Sequence, residues 1–163
     1  MTEKYMKLAL KEAQKAYEKE EVPIGAIIVK DNKVIARAHN LRESKKDACA
    51  HAEILAIQKA CKKLNAWRLE ECDMYVTLEP CAMCAGAIMN ARIRKLYIGA
   101  DEPKFGAVGS KINLLEDIIF NHKVEVERDI CKEEAVQLIK NFFADLRKRN
   151  KMIKEKLDII RDD

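Results

Sequence analysis

Apolar residues recur at helical spacing over residues 3–20, at Tyr5, Met6, Leu8, Ala9, Ala13, Ala16 and Tyr17, with Thr2 as a candidate cap. Glu20, Glu21 and Pro23 stop that helix. Residues 24–29 then form a continuous, largely β-branched run, the pattern of a buried strand. Asp31-Asn32 is a turn signal, so residues 33–38 are expected to return as a hairpin partner. Polar residues 39–48 read as a loop. Residues 50–63 resume helical spacing through Ile54, Leu55, Ile57, Ala60 and Cys61. A third strand is expected over 73–78, a helix from Cys81 to about Asn90, and a fourth strand over 93–99. Residues 101–110 are polar and carry two glycines, a loop of the kind that often bears function. A short helical turn over 113–120, a fifth strand over 123–126 and a long helix over about 133–160 complete the pattern.

This β-β-α-β-α-β order predicts an antiparallel first hairpin, and a helical crossover makes strands three and four parallel. The fold class expected is α/β, a three-layer α/β/α sandwich with a five-stranded mixed sheet and helices on both faces. With 163 residues and no linker or repeat, the chain reads as a single domain over 1–163. The helices opening near Ala50 and Cys81 should begin at one edge of the sheet, where such folds bind ligands.

The segment from Met1 to Leu10 carries Glu3, Lys4 and Lys7, so no signal peptide is expected. No apolar run approaches the roughly 18 residues of a membrane span. A cytoplasmic protein is therefore expected, and its six cysteines are read as reduced thiols rather than disulfides. The formal net charge of +4 permits a polyanionic partner without demanding one.

The chemistry concentrates in Cys81 and Cys84, spaced C-x-x-C at a helix start, where free N–H groups and the helix dipole favour thiolates. His51 in Ala50-His51-Ala52-Glu53 also opens a predicted helix and is the candidate third ligand. One histidine and two cysteines make an open, catalytic type of zinc site whose fourth position takes water. Such water ionises at a pKa of about 7, and Glu53, two residues past His51, is placed to move its protons. Each fragment alone is common. Together they form H-x-E…P-C-x-x-C, the signature of the zinc nucleobase deaminases.

Those residues, together with the stretch from Glu21 to Ala26, Gly106-Ala107-Val108-Gly109-Ser110 and residues 121–125, resemble bacterial tRNA-specific adenosine deaminases of the TadA type. The resemblance runs over nearly the whole chain and implies the cytidine-deaminase-like fold. It implies hydrolytic deamination of adenosine to inosine at the wobble position, position 34, of a tRNA anticodon, chiefly that of tRNA-Arg. It also implies one Zn2+ per chain on His51, Cys81 and Cys84 with bound water or hydroxide as fourth ligand, Glu53 as proton carrier, and a homodimer.

By the same resemblance Asn40 hydrogen-bonds the target nucleotide, although it also reads as a loop-turn asparagine. Pro23 and Gly25 either line the pocket or simply open the strand. Glu79 stands either beside the metal or in a structural hydrogen bond. For RNA, the clearest cationic cluster is residues 147–156, where six of ten side chains are basic and one is acidic. Phe143, Arg147, Lys104 and His122 are the candidate contacts to an anticodon stem-loop, and DNA is not expected as the natural substrate. Glu102 departs from the family's usual aspartate, which puts its contact in question. Two other readings stay open: a deaminase of a free base, nucleoside or nucleotide, and a structural-zinc RNA-binding module with a fourth protein ligand such as Cys49 or Cys72.

Overall fold

The computed structural model describes residues 1–117 and 120–162. Helix α1 (Thr2–Glu18) leads into strands β1 (Gly25–Lys30) and β2 (Lys33–His39). A short α2 (Arg42–Lys45) precedes α3 (Ala52–Leu64), β3 (Cys72–Leu78), α4 (Ala82–Asn90) and β4 (Lys95–Ala100). Strand β5 (Glu125–Glu127) and α5 (Lys132–Asp162) finish the chain. The sheet order is β2-β1-β3-β4-β5, with β1 antiparallel to both neighbours and β3, β4 and β5 parallel. The mixed five-stranded sheet expected from the pattern is thus present.

The two faces of the sheet follow from the two-residue period of a strand. Ala26 and Ile28 of β1, Met74 and Val76 of β3, and Leu96 and Ile98 of β4 turn to one side. There they pack with Ala52, Ala56 and Ala60 of α3 and Ala85 and Ile88 of α4. Ile27, Val29 and Tyr75 turn to the other side, against Tyr5, Met6 and Ala9 of α1. Helix α5 joins that second layer, with Ala135 packed on Leu78 and Ala100, the last residues of β3 and β4. The α1 backbone lies so close to β1 that a Cβ at Gly25 would sit 2.0 Å from the Ala9 carbonyl oxygen. Packing therefore accounts for that glycine, whatever else it does.

Asp31 and Asn32 both take positive φ, 49° and 59°, which gives the hairpin a two-residue turn matched to strand twist. Several boundaries differ from the pattern-based expectation. Met1, not Thr2, stands at the N-cap of α1. The expected 39–48 loop contains α2, held by the buried carboxylate of Glu21, which accepts the N–H groups of Glu43 (3.0 Å) and Ser44 (2.9 Å). Residues 114–117 form a turn rather than a helical one, and the rest of the helical turn expected there includes 118 and 119, outside the described residues. Among the described residues no helix is long and apolar enough to cross a membrane.

Candidate metal centre and active site

Strands β2 and β3 run in the same direction, so both end at one edge of the sheet. The chain then turns back as α3 and α4. His51 and Cys81 are the N-cap residues of those helices, with extended ψ of 152° and 176°, and neither side chain caps its helix. A normal N-cap oxygen would bond the first free N–H groups. Here both side chains instead point at one shared spot. The pattern placed Cys81 inside the first turn; it stands one position earlier, with Cys84 three residues on at N3.

The His51 Nδ1 atom lies 3.7 Å from the Cys81 Sγ and 3.6 Å from the Cys84 Sγ. The three ligand atoms all fall within 4.8 Å of one another. Zinc radii of about 2.0–2.1 Å to nitrogen and about 2.3 Å to thiolate make a tetrahedral N···S edge of about 3.6 Å. The donor set therefore fits a tetrahedral metal ion in spacing and in kind. Among the described residues no fourth histidine, cysteine or carboxylate joins this group. Cys72 sits at the opposite end of β3, and Cys49 is exposed.

The charges are arranged for the same purpose. The Cys84 thiol donates to Cys81 and, with help from His51, pulls the Cys81 thiol down to about 4. The proton that Cys84 shares with Cys81 holds its own thiol well above the usual range. The Cys81 hydrogen bond raises His51. Glu53 occupies N2 of α3, faces the Cys84 thiol and is only 5% exposed. Burial pushes its carboxyl above the ordinary carboxylate range, which suits a group that must both take and give a proton. These four residues are brought together as the spacing suggested.

Asn40 is buried, and its neighbour Leu41 donates its N–H to the carbonyl of Ala50 (3.0 Å), the residue before His51; the Asn40 amide is engaged by backbone. Its Nδ2 donates to the Val22 carbonyl (3.2 Å) and its Oδ1 accepts the Arg42 N–H (3.1 Å). One hydrogen of Nδ2 and one lone pair of Oδ1 are left for a ligand. Pro23 is buried beside it at the entry to β1. Glu102 uses its longer side chain to accept the Lys104 N–H at 2.9 Å, closing the turn locally, while Asp101 pairs with Lys132 at the start of α5. His122 is not at this edge: it bonds the Ile93 carbonyl (2.8 Å), at the foot of β4. Phe143 is 38% exposed and edge-on to Phe142, which meets Tyr17 near the end of α1. Arg147 is exposed one turn further along α5.

Sequence reasoning left Glu79 undecided and missed its partners. Its carboxylate is 3% exposed and accepts the N–H groups of Glu102 (3.1 Å), Val108 (3.0 Å) and Ser110 (3.1 Å), together with the Ser110 hydroxyl. Burial alone would raise this carboxyl, but those donors outweigh it and hold it below the usual range. A Cβ at Gly106 would lie 2.2 Å from the Glu79 Oε2, so only glycine lets the loop close on the carboxylate. The 101–110 loop is thereby tied to the end of β3, two residues before Cys81. Glu79→Ala removes the acceptor of four donors, the Val108 N–H among them fully buried, and is expected to cost about 2 kcal/mol, read as a lowered Tm. Glu79→Gln, which keeps the shape and one acceptor, should cost less; equal Tm values for both variants and the parent would contradict this account.

A family model described as MafB19-like deaminase matches residues 1–147. A tRNA-specific adenosine deaminase of Bacillus subtilis (strain 168) is 51% identical over 155 residues, covering 95% of this chain and 96% of the relative. The protein of the same description from Aquifex aeolicus (strain VF5) is 49% identical over 145 residues, covering 89% and 95%. A solved structure from a study of A-to-I editing by tRNA:A34 deaminases at the wobble position of transfer RNA superposes with a TM-score of 0.80. It is 47% identical and covers 83% of this chain and 98% of its own. With a family model over most of its length and relatives near half-identical almost end to end, the chain belongs to the MafB19-like deaminases and, among them, to the tRNA-specific adenosine deaminases.

Proposed function

We propose that this chain acts as one cytoplasmic deaminase domain over 1–163 and converts adenosine 34, the wobble nucleotide of a tRNA anticodon, to inosine, with tRNA-Arg as substrate. The observation that carries the reading is the three-donor group His51, Cys81 and Cys84 with the buried carboxylate of Glu53 beside it. A zinc ion on those donors supplies Lewis acidity that makes a hydrolytic water nucleophilic near neutral pH.

The remaining work falls to the chain. Glu53 takes the proton of the attacking water and delivers it to N1 of the purine as C6 becomes tetrahedral. It then takes the remaining proton from the new C6 hydroxyl and passes it to the departing amine, so that the C6–N bond breaks, the C6 carbonyl forms, and water and adenosine give inosine and ammonia. Asn40 offers its spare amide hydrogen and lone pair to the target nucleotide, next to Pro23 and Gly25. A buried base site of this kind requires the adenine to leave its stack, and flanking phosphates then need cations. Lys104 on the loop and Arg147 on α5 supply the cations and Phe143 on α5 a flat face for a base; the packing of α5 on Leu78 and Ala100, where β3 and β4 end, supports this assignment. Glu102 supports the loop through its own turn, and His122 reaches RNA only if the substrate extends to the foot of β4. The outward face of α4, where Met83 is exposed and Gly86 has open space, supports a homodimer.

Incubation of the zinc-loaded protein with a tRNA-Arg transcript should give inosine at position 34, detected by reverse transcription and sequencing, with free adenosine left unreacted. Deamination of a free base or nucleoside with no reaction on the transcript would replace this substrate assignment with the alternative of the same fold.

A further inference from the structure

Phe105 has no part in the chemistry described above, yet its ring is 74% exposed. A single exposed aromatic is unremarkable on a protein surface. What sets this one apart is the backbone that carries it. On one side the Glu102 side chain accepts the Lys104 N–H at 2.9 Å. On the other the Glu102 carbonyl accepts the Gly106 N–H at 2.9 Å, and the Gly106 carbonyl accepts the Lys111 N–H at 2.9 Å. Gly106 is pressed onto the buried Glu79 carboxylate, and the Ala107 N–H donates to the Pro80 carbonyl at 2.9 Å. The chain is thus pinned immediately before and after Phe105, and the ring is turned outward. Pro80 directly precedes the metal-ligand candidate Cys81, so the loop that carries the ring borders the site. Exposed Lys104 and Lys111 lie on the same loop.

The geometry points to Phe105 as a stacking platform for a nucleobase next to the one that enters the site. A flat ring with two side-chain torsions on a fixed backbone loses little conformational freedom when a base settles on it. Every base offers a π-face, and a neighbouring cation meets the phosphate that follows. The next most exposed ring among the described residues, Trp67, lies between Arg68 and Arg92 just past the end of α3, at the opposite edge of the sheet, and cannot serve a base beside this site.

This inference rests on the RNA substrate proposed above. Its test is steady-state deamination of an anticodon stem-loop by the full-length, zinc-loaded chain, compared with Phe105→Ala, Phe105→Leu and Phe105→Trp. Loss of one stacked base costs about 5- to 150-fold in binding. Phe105→Ala should therefore raise KM about tenfold, with kcat, metal content and Tm unchanged. Phe105→Trp should restore KM, and Phe105→Leu should do so only in part. With 2-aminopurine beside adenosine 34, the parent and the Trp variant should quench its fluorescence and the Ala variant should not. An unchanged KM in Phe105→Ala overturns the inference, as does full rescue by Leu, which would mean plain apolar burial. A change in oligomeric state with KM unaltered overturns it in favour of a protein contact. If the parent chain does not deaminate the stem-loop, the functional reading itself falls; an active parent with an indifferent Phe105→Ala removes only the role of Phe105.

Discussion

Glu53→Ala is expected to lower single-turnover inosine formation by about 10²–10⁴-fold while the protein keeps one zinc per chain. Glu53 is not among the three donors that converge, so its loss leaves the metal group intact. What disappears is the carboxyl that faces the Cys84 thiol from N2 of α3. Glu53→Gln makes the same point with shape conserved, since an amide cannot carry the proton between water and purine. The effect on folding should have the opposite sign from the effect on rate. Burial raises the Glu53 carboxyl and so disfavours its charged form; removing it relieves a desolvated group. The Tm is expected to hold or rise in both variants. Near-parental deamination by Glu53→Ala, with metal confirmed by elemental analysis, would falsify the proton-carrier role.

Much of this arrangement was legible in the chain because it depends on short periods. The alternation of Ala26 and Ile28 against Ile27 and Val29 is a local property, and it determines which layer each side chain joins. The crossover from β3 through α4 to β4 follows from handedness and helix length. The H-x-E and P-C-x-x-C fragments could be joined because both open helices at the same sheet edge. The misplacements have physical causes too. His51 and Cys81 are N-caps without a capping bond, so the usual Ser, Thr, Asp or Asn signal is absent and the helix starts slip by one or two residues. Helix α2 is four residues long and is held by Glu21 from more than 20 residues away, which no local window reports. The Glu79 hub is longer in reach still, taking donors 23 to 31 residues downstream. In 123–127 the alternation of Val124 and Val126 suits either register, and pairing with Lys95–Tyr97 selects Glu125–Glu127.

Cys84→Ala is expected to empty the metal site and with it abolish turnover. Cys84 is fully buried at N3 of α4, and among the described residues no further histidine, cysteine or carboxylate joins the group, so none stands ready to replace its sulfur. Two donors would remain, His51 Nδ1 and Cys81 Sγ, and the spacing that matched a tetrahedron would lose two of its three edges. Removing a group that merely orients a ligand costs about 10–100-fold in affinity, and removing the ligand itself should cost well beyond that. Metal content after dialysis against a weak chelator should fall from one per chain toward zero, and added zinc should not restore activity. The parent, stripped by a strong chelator, should by contrast recover on zinc addition. Cys72→Ala is the matched control: that thiol is equally buried but lies at the other end of β3, so it should alter Tm and leave zinc and turnover alone. X-ray absorption at the zinc edge of the parent should show two sulfurs, one nitrogen and one oxygen. A third sulfur in that shell, or a Cys84→Ala protein that holds zinc tightly at full activity, would mean that the open three-donor site is wrong and that the hydrolytic reading built on it must be replaced.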